Sequence, residues 1–182
     1  ADVLFVVASV HEYYAGVRTQ SVMRSMRAPR DVKFDVREES AELQLAEQLY
    51  KRALERNPKL TEARLRLGRV LGLRGRHQEA VAQLRQSQSV EEPILRFYVH
   101  LFLGREFETL GNGPEARQSY ERAAAISPTA QSPLLGLSRV ADQAGDRAAA
   151  RDAIARLFEL PVHDGERADP WWVYEVAQAR GE

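Results

Sequence analysis

An all-α chain of stacked helical hairpins is the fold class this sequence predicts, and three observations carry the prediction. Ala46, Ala80, Ala116 and Ala150 recur at intervals of 34, 36 and 34 residues. Four residues after each stands a larger apolar side chain: Tyr50, Leu84, Tyr120 and Ile154. Chain breakers separate the periodic stretches at Gly75, at Gly111-Asn112-Gly113-Pro114 and at Gly145. No segment alternates apolar and polar residues with a period of two, so no sheet is expected.

Residues 1–36 lie outside the repeat, and positions 3–26 read as a helix that could supply the missing first half of the first hairpin. Arg18, Arg24, Arg27 and Arg30 give it a basic end. A membrane-surface helix fits poorly, because Asp31 and Asp35 follow and the apolar residues form no clean face. The favoured reading is a packed N-terminal cap with a solvated charged side. A segment folded back into the protein's own groove is the other.

The repeat array spans 37–160. Its first helix is expected over about 38–56, followed by the pairs 61–74 with 77–89, 93–110 with 114–126, and 131–144 with 147–159. Thr61 and Asp146 fit N-cap positions. Extra residues around the turn at Glu91-Glu92-Pro93 absorb the longer 36-residue interval. Residues 161–182 read as a C-terminal capping helix, with Asp169 as N-cap and Pro170 in the first turn. A stacked array must cover its last apolar surface, so Trp171 and Trp172 read first as that lid. An aromatic docking surface is their alternative role.

A second pattern runs through the first helix of each pair: Leu67-Gly68, Leu103-Gly104 and Leu137-Ser138, with Leu71, Phe107 and Ala141 three positions on. A small residue lets two helices approach, and a large one four residues away fills the neighbouring hole. The run His100-x-x-Leu103-Gly104-x-x-Phe107, then Ala116-x-x-x-Tyr120 and Pro128, resembles the tetratricopeptide-repeat (TPR) family, with His100 in place of the opening aromatic. The resemblance covers about residues 40–160. It implies a right-handed α-solenoid whose ligands lie on a concave surface lined by the first helix of each repeat.

Mapped residue by residue, that surface has a definite composition. Arg69, Arg105 and Arg139 each follow the Gly, Gly or Ser of their repeat, and Leu65, Leu101 and Leu135 stand four residues before them. The i,i+4 spacing puts each pair on one helix face. With Arg66, Tyr98 and Phe102 nearby, the groove presents leucines beside a ladder of arginines. Guanidinium forks bind carboxylates bidentately, so an acidic-amphipathic segment of another protein is the expected ligand. The plainer alternative pairs Arg105 with Glu108 and Arg139 with Asp142, each three residues on. The Lys/Asn clamp of the chaperone-binding family members is not matched, since the corresponding places hold Leu65, Arg69, Phe102, Ser132 and Gly136.

Composition weighs against other function classes. Lys+Arg and Asp+Glu both total 26, and a chain without net charge lacks the positive field of a nucleic-acid binder. There is no cysteine for disulfides, thiolate metal sites or nucleophiles. The longest apolar run, 3–10, falls far short of the roughly 20 residues that cross a bilayer. His11-Glu12 begins like a zinc-protease motif, but Ala15 stands where the second histidine belongs. His11, His77, His100 and His163 have no ligand spacing, and His100 reads as a packed core residue. No phosphate-binding loop or nucleophile elbow occurs.

The expectation is therefore a non-enzymatic scaffold or adaptor of bacterial type. It needs no cofactor and no metal, binds another protein or peptide, and leaves self-association open. The alternative is a structural subunit that packs through its convex face or its Trp171-Trp172 end. Either the cytoplasm or, after removal of an export signal, the periplasm fits, and Ala1 reads as a processed or trimmed end.

Overall fold

The computed structural model describes the backbone of residues 1–25 and 36–160 and the side chains of 1–15 and 40–160. The helices are α1 (Asp2–Ser25), α2 (Val36–Arg56), α3 (Thr61–Leu73), α4 (His77–Arg85), α5 (Pro93–Thr109), α6 (Gly113–Ile126), α7 (Gln131–Gln143) and α8 (Arg147–Glu159). Among the described residues there is no strand. They pack most extensively as the hairpins α1·α2, α3·α4, α5·α6 and α7·α8, and α2·α3, α4·α5 and α6·α7 join each hairpin to the next. In addition α3 touches α5 and α5 touches α7, so the first helices form a row of their own.

Glycine fixes where three of these helices stop. Gly75, Gly111 and Gly145 have φ of 74°, 74° and 77°, a left-handed conformation that suits a residue without Cβ. At the first, the Arg76 N–H donates to Leu71 O at 2.9 Å and the Gly75 N–H to Gly72 O at 2.9 Å. The same pair of bonds closes α5 and α7, so carbonyls left over at the helix end are satisfied while the chain reverses.

Asp146 caps α8 as expected, its carboxylate accepting from the Ala149 N–H at 3.0 Å. Thr61 does not cap α3: the capping position is Leu60, and Thr61 is already helical. Asn57 directs the turn instead, taking the Lys59 N–H on its side chain at 3.1 Å, while the Thr61 hydroxyl donates back to Lys59 O. Helix α4 ends at Arg85, four residues earlier than expected. There Ser87 folds inward, 2% exposed, and its N–H donates to Leu84 O in a tighter turn.

The core has two connected regions. One gathers Ala8, Ala15, Ala46, Tyr50, Leu67 and Leu71 from the first two hairpins; the other gathers Leu84, Phe97, Leu103, Tyr120 and Ala123. Each fully buried large side chain contributes about 2 kcal/mol. His100 is buried with them on α5, as expected, and its Nδ1 lacks a hydrogen-bond partner.

Helix α1 pairs with α2 and so occupies the first-helix position of the first hairpin. The 36/37 boundary read from the sequence therefore falls within a hairpin. As positions on α1 fall from His11 to Phe5, their partners on α2 rise from Glu42 to Tyr50, so the two run antiparallel. The side of α1 facing inward carries Ala8, Glu12 and Ala15, small enough to let the helices close, plus one carboxylate. Leu4 and Phe5 also pack partly against the core, the Phe5 ring 6.0 Å from that of Tyr50, whereas Val3, Val6, Val7, Val10, Tyr13 and Tyr14 are all exposed. Over residues 1–15 the outward side is thus apolar, while the side chains of Arg18, Arg24, Arg27 and Arg30, on which the reading of a charged solvated side rests, lie outside the described residues. Trp171, Trp172, His163 and the capping helix expected over 161–182 lie outside the described residues. Among the described residues no helix is long and apolar enough to cross a membrane.

Candidate functional site

The row formed by α3, α5 and α7 carries three neighbouring cavities among the described residues. One, about 90 Å³ and set between α3 and α5, is lined by Arg69, Gly72, His77, Phe102, Arg105 and Glu106, with Leu73 and Thr109. The other two hold the residues mapped from the sequence. The larger, about 550 Å³, is lined by Leu101, Phe102, Arg105, Glu108, Tyr120, Ser132, Leu135 and Arg139, with Thr109 and Gln143 at its margin. The smaller, about 80 Å³, is bounded by Glu12, Glu62, Leu65, Arg66, Arg69, Leu95, Tyr98 and Phe102. All nine residues mapped from the sequence to the groove line one of these two, and Phe102 lines all three cavities.

Depth separates the leucines. Leu65 and Leu101 are 3% and 6% exposed and belong to the core, giving the cavities only an edge, whereas Leu135 stands 42% exposed. The continuous leucine stripe is therefore reduced to one projecting side chain. An i,i+4 spacing fixes which face a residue occupies but not how deeply the next hairpin covers it.

The arginines differ even more. Arg69 donates to Glu12 at 2.5 Å, and Arg66 reaches the same carboxylate at 3.3 Å while bonding Glu62 at 3.0 Å. Tyr50 donates its hydroxyl to Glu12 at 2.6 Å. Glu12 is 4% exposed, so this is a carboxylate taken out of water and surrounded by donors. Burial, then the Glu12 charge, pushes the Tyr50 phenol well above its ordinary range. Burial works against the Arg66 charge, but Glu12 and Tyr50 outweigh it and hold that guanidinium ionised.

At the far end the arrangement recurs. Arg139 grips Glu108 as a fork, Nε to Oε1 at 2.8 Å and Nη2 to Oε2 at 2.9 Å, and Tyr120 donates to the same carboxylate at 2.7 Å. Burial opposes the Glu108 charge, yet the bonds from Arg139 and Tyr120 prevail and hold the carboxyl below its ordinary 4.5. Tyr120 can reach there because glycines flank it. A Cβ on Gly104 would lie 2.6 Å from its ring, and one on Gly136 2.5 Å. The sequence pairing of Arg139 with Asp142 is thus replaced by a bond across the junction between α5 and α7. That bond also takes Glu108 away from its expected partner Arg105.

Arg105 is exposed and joined to no carboxylate by an ion pair among the described residues, although it contributes to holding Glu108 ionised. Sequence reasoning missed Glu12 in this role, assigned Glu108 to Arg105 instead of Arg139, and gave Tyr50 and Tyr120 only a packing role. One signal was available: Tyr, Leu, Tyr and Ile occupy the same repeat position, and the two tyrosines are the two that reach these carboxylates.

A buried salt link holds the other side of the first junction. Glu47, 4% exposed, accepts from Lys51 and Arg76 at 2.5 Å each and from Arg74. Among the described residues His11 and His77 are each tied to one carboxylate, Glu42 at 2.6 Å and Glu106 at 2.7 Å. Among the described residues no group of three or more His, Asp or Glu side chains is placed to hold a metal ion.

No protein-family model matches the sequence, and no characterised protein matches it significantly. Solved structures do match in fold. MamA of MSR-1 superposes with a TM-score of 0.60 at 19% identity, over 87% of this chain and 92% of that one. PilF of Pseudomonas aeruginosa superposes with a TM-score of 0.61 at 18% identity, over 70% of this chain and 58% of its own. Among the described residues four helical hairpins stack in sequence order, and with the spacing of their small and large residues and these superpositions they give the chain a tetratricopeptide-repeat α-solenoid fold.

Proposed function

We propose that this chain is a non-enzymatic adaptor that receives a segment of another protein in the groove formed by α3, α5 and α7. The carrying observation is the open cavity of about 550 Å³, which sets Leu135 and the edges of Leu101 and Phe102 beside Arg105 and Arg139. A site with both apolar contact area and guanidinium donors suits an acidic-amphipathic segment. The groove residues stand on helices, and helices fix side-chain positions better than loops.

Leu135 and Arg105 are both exposed, so a Leu135→Glu/Arg105→Glu variant changes the groove while leaving the core intact. Proteins captured by the wild type are compared with those captured by this variant, after circular dichroism confirms equal helicity. The expected result is a partner lost in the variant and reducible to a short segment that still binds the wild type. Equal capture by both proteins would remove the groove from consideration.

The outward stripe Val3, Val6, Val7, Val10, Tyr13 and Tyr14 favours a second reading, a structural subunit held permanently in an assembly through that end. Such a subunit self-associates at micromolar concentration through α1, and Val6→Glu/Val10→Glu abolishes the association. Sedimentation velocity that shows only monomer for the wild type sets this reading aside.

A further inference from the structure

We infer that the segment bound in the groove brings one side-chain carboxylate to Arg105, next to an apolar residue that enters the large cavity against Phe102 and Leu135. This deepens the groove reading and rests on it. Three junctions join the described hairpins along the row, and they differ in their polar residues.

At the first junction a tyrosine, a glutamate and an arginine meet: Tyr50 and Arg69 hold Glu12. At the third, Tyr120 and Arg139 hold Glu108. The repeat register identifies the corresponding places at the middle junction. Leu84 stands where Tyr50 and Tyr120 stand, because each follows its repeat alanine by four residues. Gly72 stands where Glu108 stands, because each follows its repeat arginine by three. The middle junction therefore supplies neither the phenol nor the carboxylate, and its arginine, Arg105, has no ion pair among the described residues.

The neighbouring packing prevents the chain from filling this place itself. The gap left by Gly72 is already used: a Cβ there would lie 2.3 Å from Glu106 Oε1. Glu106 is 6% exposed and bonded to His77 at 2.7 Å, so it is held beneath the junction. Phe102 stands three residues before Arg105, as Gly136 does before Arg139, and all three cavities are lined by its ring.

Charge points the same way. The small cavity is bounded by Arg66, Arg69, Glu12 and Glu62 and is neutral, two positive against two negative. The large one has Arg105 and Arg139 against Glu108, and the cavity between α3 and α5 has Arg69 and Arg105 against Glu106, which His77 bonds; each leaves one positive charge, and Arg105 is common to both. One incoming carboxylate at Arg105 balances both. Glu12 and Glu108 show the recognition chemistry, a carboxylate of a neighbouring segment received by a first-helix arginine.

The test is a displayed library of random peptides, flanked at both ends so that only side chains supply carboxylates, selected against wild type, Arg105→Glu and Leu135→Glu. Wild type is expected to enrich Asp or Glu beside a large apolar residue. Arg105→Glu is expected to enrich Lys or Arg at that same position while keeping the apolar preference. Replacing the acidic residue of a selected peptide by its amide should weaken binding to wild type about ten- to hundredfold, the range of a charge-assisted hydrogen bond. The same replacement should leave binding to Arg105→Glu unweakened.

Peptides that depend on Leu135 but show no acidic preference, or whose acidic preference survives Arg105→Glu, overturn the inference and leave the groove reading standing. A preference for acid seen only with a free C-terminus, in a second library displayed without the trailing flank, overturns the assignment to a side chain. Failure to select any peptide that depends on Leu135 overturns the groove reading as well.

Discussion

The first and middle junctions of this solenoid use the same arginine position in opposite ways. At the first, Arg69 is drawn onto Glu12, a carboxylate 4% exposed, and on the other side Glu47 gathers Lys51, Arg74 and Arg76. At the middle, Leu84 and Gly72 replace the polar partners, and Arg105 lines the cavities on both sides of α5. The third junction lies between the two, with Glu108 12% exposed and Arg139 54% exposed. A repeat array thus sorts one recurring side chain into structural and available copies by changing residues 19 to 57 positions away from it, on neighbouring helices. Position in a repeat does not decide the role; the facing residues do.

The largest predicted effect would break the comparison at its closed end. Glu12→Ala removes the acceptor shared by Arg69, Arg66 and Tyr50, and loss of one member of a buried charged group costs about 3 kcal/mol. Urea denaturation should show this loss, together with faster amide exchange in α1. A loss no greater than that of Glu108→Gln would show that burial of the carboxylate does not distinguish the two junctions. Next in size, Gly136→Ala forces a Cβ to within 2.5 Å of the Tyr120 ring, which is already confined by Gly104. Overpacking of this kind costs about 2 kcal/mol, read as a lower urea midpoint at unchanged slope.

Glu108→Gln should cost less, about 1 kcal/mol at neutral pH, because Arg139 is 54% exposed and regains water when released. Its pH dependence sharpens the point. The folded pKa of Glu108 is depressed, so its contribution is present above the ordinary 4.5 and is lost as pH falls through the lower folded value. Wild type and Glu108→Gln should therefore converge in stability on acidification below about 4.5. A constant difference down to the acid limit would separate the bond from the charge.

The helical plan was legible because its signals are local. Ala46, Ala80, Ala116 and Ala150 mark the packing face, and Gly75, Gly111 and Gly145 mark helix ends through a backbone conformation that suits them. The groove residues were legible as a set, since all nine line the row's cavities. Their individual states were not. Arg69 meets Glu12 across 57 residues and Arg139 meets Glu108 across 31, and no spacing rule on one helix reveals such a contact. The same limit explains α1, where Val and Tyr residues face outward. Its inward side is chosen by what Tyr50, Arg66 and Arg69 require of it, and Glu12 meets that requirement while valine does not.

A gain in stability, no larger at pH 8 than the Glu108→Gln loss, is expected at His100, which replaces the opening aromatic of the repeat pattern. It is 7% exposed, its Nδ1 finds no partner, and burial followed by the Arg122 and Arg96 charges lowers its pKa below 6.5. The folded state therefore favours the neutral imidazole. In the unfolded chain the ring takes up a proton near 6.5, so folding stability is full above that pH and declines as pH falls towards the lower folded pKa. His100→Phe removes both the proton site and the unsatisfied nitrogen. It should raise stability by about 1 kcal/mol at pH 8, where only the unsatisfied nitrogen counts, and by more near pH 5.5. Thermal unfolding of both proteins across this window isolates the residue, since His11 and His77 are common to each. A difference independent of pH would mean that the ring is protonated as easily folded as unfolded, and that the Arg122 and Arg96 charges do not reach it.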